Sequence, residues 1–292
     1  MIVITTPTGN IGKQVLADLL KSGESVRVIV RDASKLDAES RQRVEVIEGS
    51  HGDLATVNRA FEGAESVFWV VPPDMQASDV TAAYVDFTKP AAEAFKTQGV
   101  RRVVGVSALG RGWPKPAGLV SASLAMDDLI ASTGVSYRAL TNPSFMENLI
   151  NQAGAIKNQG MFFSPLVGDR KFPIAGTRDI ATTATKLLLD RSWSGVGHRA
   201  VLGPEDLSFN DMAQILSEVL GKPVKFQQIP MEGFKERLAG FGASAAIQQA
   251  YVEMFIAKNE GMDNAEPRTT DNTTPTSFRQ WAEEVLKPVV LK

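Results

Sequence analysis

The sequence predicts an α/β protein: a Rossmann-like, doubly wound parallel sheet with a smaller, mostly helical C-terminal lobe. Three observations carry this reading. Strand and helix signals alternate through the first half of the chain. The strands are short apolar, β-branched runs of the kind buried on both faces of a parallel sheet. The chain also opens as strand, Gly-containing turn and helix, the unit that holds a dinucleotide pyrophosphate against free N–H groups at a helix N-terminus.

The elements follow in order. Ile2 to Ile4 is the first strand, and Thr6-Pro7-Thr8-Gly9-Asn10-Ile11-Gly12 is the turn. An amphipathic helix runs from about Ile11 to Lys21. Ser25–Val30 is a second strand, Val44–Glu48 a third and Ser66–Val71 a fourth, stopped by Pro72 and Pro73. Asp53 is placed to cap a short helix through Phe61. A long helix from about Ser78 to Thr97 contains Pro90, which predicts a kink or break. Arg102–Ser107 is a fifth strand, a helix spans about Gly118 to Ser132, and Val135–Leu140 is a sixth strand. The pattern then loosens. A helix is expected from about Met146 to Ala155, a short strand near Lys171–Ile174, a helix from Arg178 to Leu189 and a strand at His198–Gly203. Ser208 caps a helix to Leu220, which Gly221 and Pro223 end. Val224–Gln228 is a further strand. The remainder is helical, with a polar break at Asn264–Thr276 before a last helix, Phe278–Leu286. The expected division is a dinucleotide-binding domain at 1–148, to which about 177–203 returns, and a substrate-binding lobe at 149–292.

Composition narrows the function. The 292 residues are 43% hydrophobic and 22% charged, as in an ordinary globular protein, and the net charge of −2 offers no basic field to nucleic acid. There is no cysteine, which excludes disulfides, thiolate metal sites and a cysteine nucleophile. Only His51 and His198 are available as imidazole ligands, so no metal site is expected. No apolar run is long enough for a membrane span and no signal peptide is read, so a cytoplasmic protein is expected. Asn272-Thr-Thr274 matches a glycosylation acceptor by chance on that reading.

The end of the second strand selects the cofactor. An acidic residue there binds the ribose 2′-hydroxyl of NAD, whereas a cation takes the 2′-phosphate of NADP. Here Arg31 follows the strand, with Lys35 four residues on, and Asp32 is expected to point away. The alternative is a solvated basic loop. With the opening turn, these cations favour NADPH.

On these and further segments the chain resembles the NmrA-like branch of atypical short-chain dehydrogenases/reductases. The segments are Thr8–Gly12, Val28–Arg31, Val67–Pro73, Val104–Gly110, Asn142–Asn148, Arg178–Ile180 and Leu202–Ser208, and they span nearly the whole chain. That branch includes NADPH-dependent quinone, azo-dye and triphenylmethane reductases as well as redox-sensing regulators. The resemblance implies that Thr6, Thr8, Gly9, Asn10, Ile11 and Gly12 surround the pyrophosphate and that Arg31 and Lys35 hold the 2′-phosphate. It places Ser50 and His51 near adenine, and Val71 and Pro72, within Val70–Pro73, near the ribose. Ser107, Ala108, Pro143 and Phe145 would flank the nicotinamide. Thr6 and Ser50 depart from the glycine and aspartate common at those places, and Thr6 puts a Cβ where close approach is wanted.

Conventional members of that superfamily use a Tyr-x-x-x-Lys pair one helical turn apart. The tyrosines here are Tyr84, Tyr137 and Tyr251, and four residues on stand Thr88, Thr141 and Phe255. Leu119 and Ser123 fall where the pair is expected. A conventional dehydrogenase or sugar epimerase is thereby disfavoured. Gly9–Gln14 is too short for a P-loop, and Ser107 lacks the frame of a serine hydrolase. His51 and His198 read as loop and strand-end residues, Arg111 and Lys115 as loop charges, and Asp179 as ordering a helix start. Ser107, Trp113, Phe145, Phe163 and Phe172 are candidates to line a cleft for a flat, apolar acceptor, although aromatic residues more often pack cores.

Two functions remain. One is an NADPH-dependent reductase of a conjugated, mostly apolar small molecule; the other is a non-catalytic NADP(H)-binding sensor that regulates a protein partner. The aromatic segments favour the first. The sequence leaves open the substrate, the proton source and whether the chain forms a homodimer.

Overall fold

The computed structural model describes residues 1–292. Its strands are β1 (Ile2–Thr5), β2 (Val26–Val30), β3 (Glu45–Glu48), β4 (Ser66–Trp69), β5 (Arg102–Ala108), β6 (Ser136–Asn142), β7 (Ser144–Phe145), β8 (Met161–Ser164), β9 (Phe172–Ala175), β10 (Val196–Ala200), β11 (Asp206–Leu207) and β12 (Lys225–Gln228). Its helices are α1 (Gly12–Ser22), α2 (Ala38–Gln42), α3 (Leu54–Phe61), α4 (Val80–Thr97), α5 (Leu119–Ala131), α6 (Ala153–Gln159), α7 (Thr177–Leu189), α8 (Phe209–Leu220), α9 (Met231–Gly240), α10 (Ala245–Asn259), α11 (Phe278–Trp281) and α12 (Lys287–Leu291).

Seven parallel strands lie in the order β3-β2-β1-β4-β5-β6-β10. Ile4 stands opposite both Val28 and Phe68. Both faces of the inner strands are largely apolar, as a doubly covered sheet requires, while the edge strands β3 and β10 are more polar and exposed. Ile4, Val28, Phe68, Val104 and Leu140 enter one core with residues of α1 and α7. Val3, Ile29, Val67, Val103 and Tyr137 enter the other with residues of α3, α4 and α5. Full burial of each Val or Ile contributes about 1.5–3 kcal/mol. The strand order reverses between β1 and β4, and ligands of such sheets bind at the carboxyl ends beside that point.

After β6 the chain leaves the sheet. It returns as α7, packed beside α1, and as β10, paired with β6. Two small sheets, β11-β9-β7 and β12-β8, belong to the rest of the chain. A third core there is built on Phe162, Leu216, Phe278, Trp281 and Leu286.

Several elements differ from the sequence reading. The helix expected over Met146–Ala155 is a 3₁₀ segment, Met146–Gln152, followed by α6. Gln152 leaves the helical conformation because its amide clasps the Phe163 backbone, accepting from N–H at 2.8 Å and donating to C=O at 3.0 Å. The last strand of the main sheet is Val196–Ala200 rather than His198–Gly203, because Leu202 pairs with Thr273 instead. Pro90 interrupts nothing, and α4 runs through it. The last helix continues past Leu286 by a π-turn over Ala282–Leu286 into α12.

Candidate functional site

The turn between β1 and α1 sits at the point where the strand order reverses. Thr6 has φ +49°, the one non-glycine residue of the chain in the left-handed region. Its backbone therefore turns as a glycine's does. The Gly9 N–H donates to the Thr6 carbonyl at 3.0 Å. A Cβ on Gly12 would lie 2.1 Å from that same oxygen, so the start of α1 can approach the turn this closely only as glycine. The N–H groups of Thr8, Asn10, Ile11 and Gly12 donate to no protein acceptor. Those of Ile11 and Gly12 are orphan donors of the helix start, where the helix dipole is positive, and those of Thr8 and Asn10 belong to the turn before it.

Thr5 fixes the turn to β4. Its hydroxyl donates to the Phe68 carbonyl at 3.0 Å and accepts from the Val70 N–H at 2.9 Å. That side-chain bridge takes the place of a backbone ladder rung and ends β4 at Trp69, before Val71, Pro72 and Pro73, which are half-buried or exposed. On α1, Gln14 donates to the Asn10 carbonyl at 2.7 Å and to the Thr177 hydroxyl at 3.0 Å. Thr177 opens α7, and its N–H and hydroxyl are held by the Glu147 carboxylate at 2.9–3.1 Å. Glu147 also accepts from the Trp281 indole at 3.1 Å, so one chain of bonds runs from the turn to the C-terminal helix.

Arg31 and Lys35 are exposed at the end of β2, and neither makes an ion pair. The carboxylate of Asp32 is turned away to cap the 3₁₀ turn Ala33–Lys35. It accepts from the Ser34 N–H at 2.9 Å and from the Ser34 hydroxyl at 2.6 Å, and these bonds hold its pKa below the usual value. The acid adjoining Arg31 is therefore committed elsewhere.

Ser50 accepts from the Gly52 N–H at 3.2 Å in the loop after β3. His51 beside it is 7% exposed, wedged edge-on against Trp69 and Phe87 at 5.1 and 4.9 Å. Its Nε2 lies 2.9 Å from the Val70 carbonyl and must carry the proton. Burial lowers its pKa to about 4, so His51 is neutral and braces the end of β4.

The cleft candidates separate. Pro143 is buried between β6 and β7, and Phe145 is half-buried against the core that Ile11 joins and on which Val70 and Val106 also pack. Phe163 is half-buried, with Arg237 over its ring at 5.5 Å. Phe172 does not meet its expectation: it is 6% exposed and packs on Phe209 at 5.1 Å inside the core of the C-terminal region. Trp113 packs against Ala117, Val120, Ala257 and Met262, between α5 and α10. The Ser107 hydroxyl is directed to α5, donating to Asp127 Oδ2 at 2.5 Å. Leu119 lies in an apolar cluster with Met75, Phe234, Leu238 and Tyr251. Arg111 pairs with Asp128 at 2.8 Å, Lys115 with Glu260 at 2.7 Å, and His198 lies 3.8 Å from Glu266. Asp179 accepts from the Thr276 N–H and hydroxyl at 3.0 and 2.8 Å, so it ties down the polar break rather than only its own helix.

Sequence reading missed Asp127. It is 3% exposed on α5 and accepts from Ser107 and, at 2.6 Å, from the Tyr137 phenol. Burial raises its pKa to about 6, against the pull of those hydrogen bonds. The signal was an acid on a helix face otherwise filled by Val120, Ser123, Met126 and Ile130.

The NmrA-like family model matches residues 1–283. A protein named NAD(P)H azoreductase, from Xenophilus azovorans, is 28% identical over 260 residues, covering 87% of this chain and 86% of that protein. The crystal structure of an NADPH-dependent quinone oxidoreductase from Escherichia coli, complexed with NADPH, is 25% identical with a TM-score of 0.75, covering 91% of this chain and 92% of that one. A nucleoside-diphosphate-sugar epimerase from Staphylococcus aureus superposes with a TM-score of 0.82 at 20% identity, covering 97% and 99% of the two chains. That last likeness is one of fold.

Proposed function

The chain belongs to the NmrA-like family, and on that footing we propose that it is an NADPH-dependent reductase of a conjugated, mostly apolar small molecule such as a quinone, azo compound or iminium. The observation that carries the reading is the turn after β1. Thr6 adopts a glycine's backbone, and Gly12 is hemmed against its carbonyl, leaving free N–H groups around a space where an anion is favoured. The residues present thus fit a dinucleotide. Thr8 to Gly12 would hold its pyrophosphate, and the unpaired Arg31 and Lys35 its 2′-phosphate, with Asp32 locked on Ser34 and unable to compete. Ser50 and His51 would border the adenine, and Val71 and Pro72 the ribose. The bound nicotinamide supplies hydride.

The protein's part is orientation and water exclusion. Phe145, Pro143 and the neighbouring strand ends would form the apolar wall against which the ring and an acceptor stack. No Tyr-x-x-x-Lys pair stands by to donate a proton, and Leu119, where the tyrosine is expected, is packed among apolar side chains. A quinone, azo or iminium acceptor needs little acid catalysis, because its reduced form can take a proton from water. The division of labour we propose is a cofactor-binding unit at 1–148 with 177–203, and a substrate-covering lobe in the remainder.

The test is to mix the protein with NADPH and a panel of quinones, azo dyes and enones and follow nicotinamide absorbance. Turnover with at least one acceptor class is expected. Tight NADPH binding with no turnover across the panel refutes the reductase and favours a dinucleotide sensor.

A further inference from the structure

Beyond α5, over β6 and β10, lies a cavity of about 420 Å³. No residue of the β1–α1 turn, of the β2 end or of the β4–α4 segment lines it. Its volume falls in the range of small-molecule sites, about 300–1,000 Å³. Half of its lining is apolar, with Leu109, Ala131, Ala139 and Met262 among those side chains.

Its polar groups are unbalanced. Asp127, 3% exposed, faces it with two neutral donors, Ser107 and Tyr137. The nearest cation, Arg111, stands 3.8 Å from Asp127 but has closed on Asp128 at 2.8 Å. Glu266 on the same lining faces His198 at 3.8 Å. Three carboxylates thus share one permanent cation. A buried carboxylate whose donors are neutral lacks the charge that normally compensates its desolvation. Thr141, 6% exposed, lines the same cavity, and its hydroxyl has no partner. The lining repels anions, and a neutral guest leaves Asp127 with only the Arg111 it shares with Asp128, 3.8 Å away.

We infer that this cavity is a second binding site, for a small, largely apolar molecule carrying one ammonium group seated against Asp127. The apolar part lies on Ala131, Ala139 and Met262, and the ammonium supplies the positive charge that Arg111 gives to Asp128. The cavity shares no residue with the proposed pyrophosphate and 2′-phosphate sites and meets the expected nicotinamide flank only at Ala108, so amine binding is read by calorimetry without cofactor or turnover and its failure is distinguishable from failure of the reductase reading.

Calorimetric titration of the whole protein at pH 7.5 with 2-phenylethylamine, 2-phenylethanol and 3-phenylpropionate tests it. Saturable binding of the amine alone is expected, weakened at least tenfold by Asp127→Asn. Ala131→Phe, which fills the cavity from the partly exposed flank of α5 and keeps the carboxylate, should abolish it. The second variant decides the matter if the first does not fold. No amine binding, equal binding of amine and alcohol, or amine binding unchanged in Ala131→Phe overturns the proposal.

Discussion

A β-carbon on Gly12 would stand 2.1 Å from the carbonyl oxygen of Thr6, and 2.9 Å from its carbonyl carbon. Neither atom can yield, since both belong to the turn's backbone. Gly12→Ala should therefore push α1 away from β1, costing about 1–3 kcal/mol as an overpacked site does. It should also weaken NADPH binding more than tenfold. Gly9→Ala is the control for stability, because its β-carbon would meet the same oxygen at 3.3 Å, a contact relieved by a shift of a few tenths of an ångström. Thermal unfolding of both variants and NADPH titration of Gly12→Ala check this. Equal loss of stability at the two positions would show that contact with Thr6 is not what fixes Gly12.

Thr6 itself bears the opposite strain. A β-branched residue at φ +49° is disfavoured by roughly 1–2 kcal/mol relative to right-handed backbone. Glycine would release that strain but lose about 0.5–1 kcal/mol through the entropy of its unfolded chain. Thr6→Gly is thus expected to leave stability unchanged or raise it by up to about 1.5 kcal/mol, with NADPH affinity retained. Denaturant unfolding decides; a clear loss of stability would mean the threonine side chain holds the turn.

Much of this was legible because it is local. Strand, turn and helix succeed one another within residues 2–22, and Arg31 follows its strand directly, so pattern and position coincide. The left-handed Thr6 was not legible, because a threonine ordinarily avoids positive φ and the glycine common at that place in the resembled family is absent here. Asp127 was missed for a different reason: Ser107 and Tyr137 meet it from two strands, and no local spacing joins them. Phe172 and Phe163 look alike in sequence, yet Phe172 packs on Phe209 while Phe163 does not enter that core. The junction at Gln152 between the 3₁₀ segment and α6 likewise involves the Phe163 backbone eleven residues on, which the Gln152 amide clasps.

Arg31 should decide cofactor preference. With Asp32 held by Ser34 and no acid paired to the guanidinium, its charge is free for a 2′-phosphate. Arg31→Ala is expected to weaken NADPH by ten- to a hundredfold and NADH by less than threefold, about 1.4–2.7 kcal/mol against less than about 0.7. Fluorescence titration of both cofactors measures it. Similar losses for the two would remove the 2′-phosphate from this position.

His51 and Asp127 make opposite contributions to acid stability. Burial lowers the His51 pKa from 6.5 to about 4, so the unfolded chain binds its proton more readily. The stability this neutral imidazole contributes is complete above pH 6.5 and is lost as pH falls through about 4. Burial raises Asp127 from 3.8 to about 6, so here the folded chain binds the proton more readily. That contribution is complete below pH 3.8 and is lost as pH rises through about 6. Each shift corresponds to roughly 3 kcal/mol, and across pH 4–6 the two largely offset one another. Single variants of the cofactor-free protein should separate them. Asp127→Asn leaves the His51 term alone, so stability should fall steeply from pH 6.5 to 4. His51→Gln leaves the Asp127 term alone, so stability should rise over the same interval. Urea unfolding at half-unit pH steps reads both slopes. If the two variants change with pH in the same direction, the opposed burial of His51 and Asp127 is not what sets the acid response.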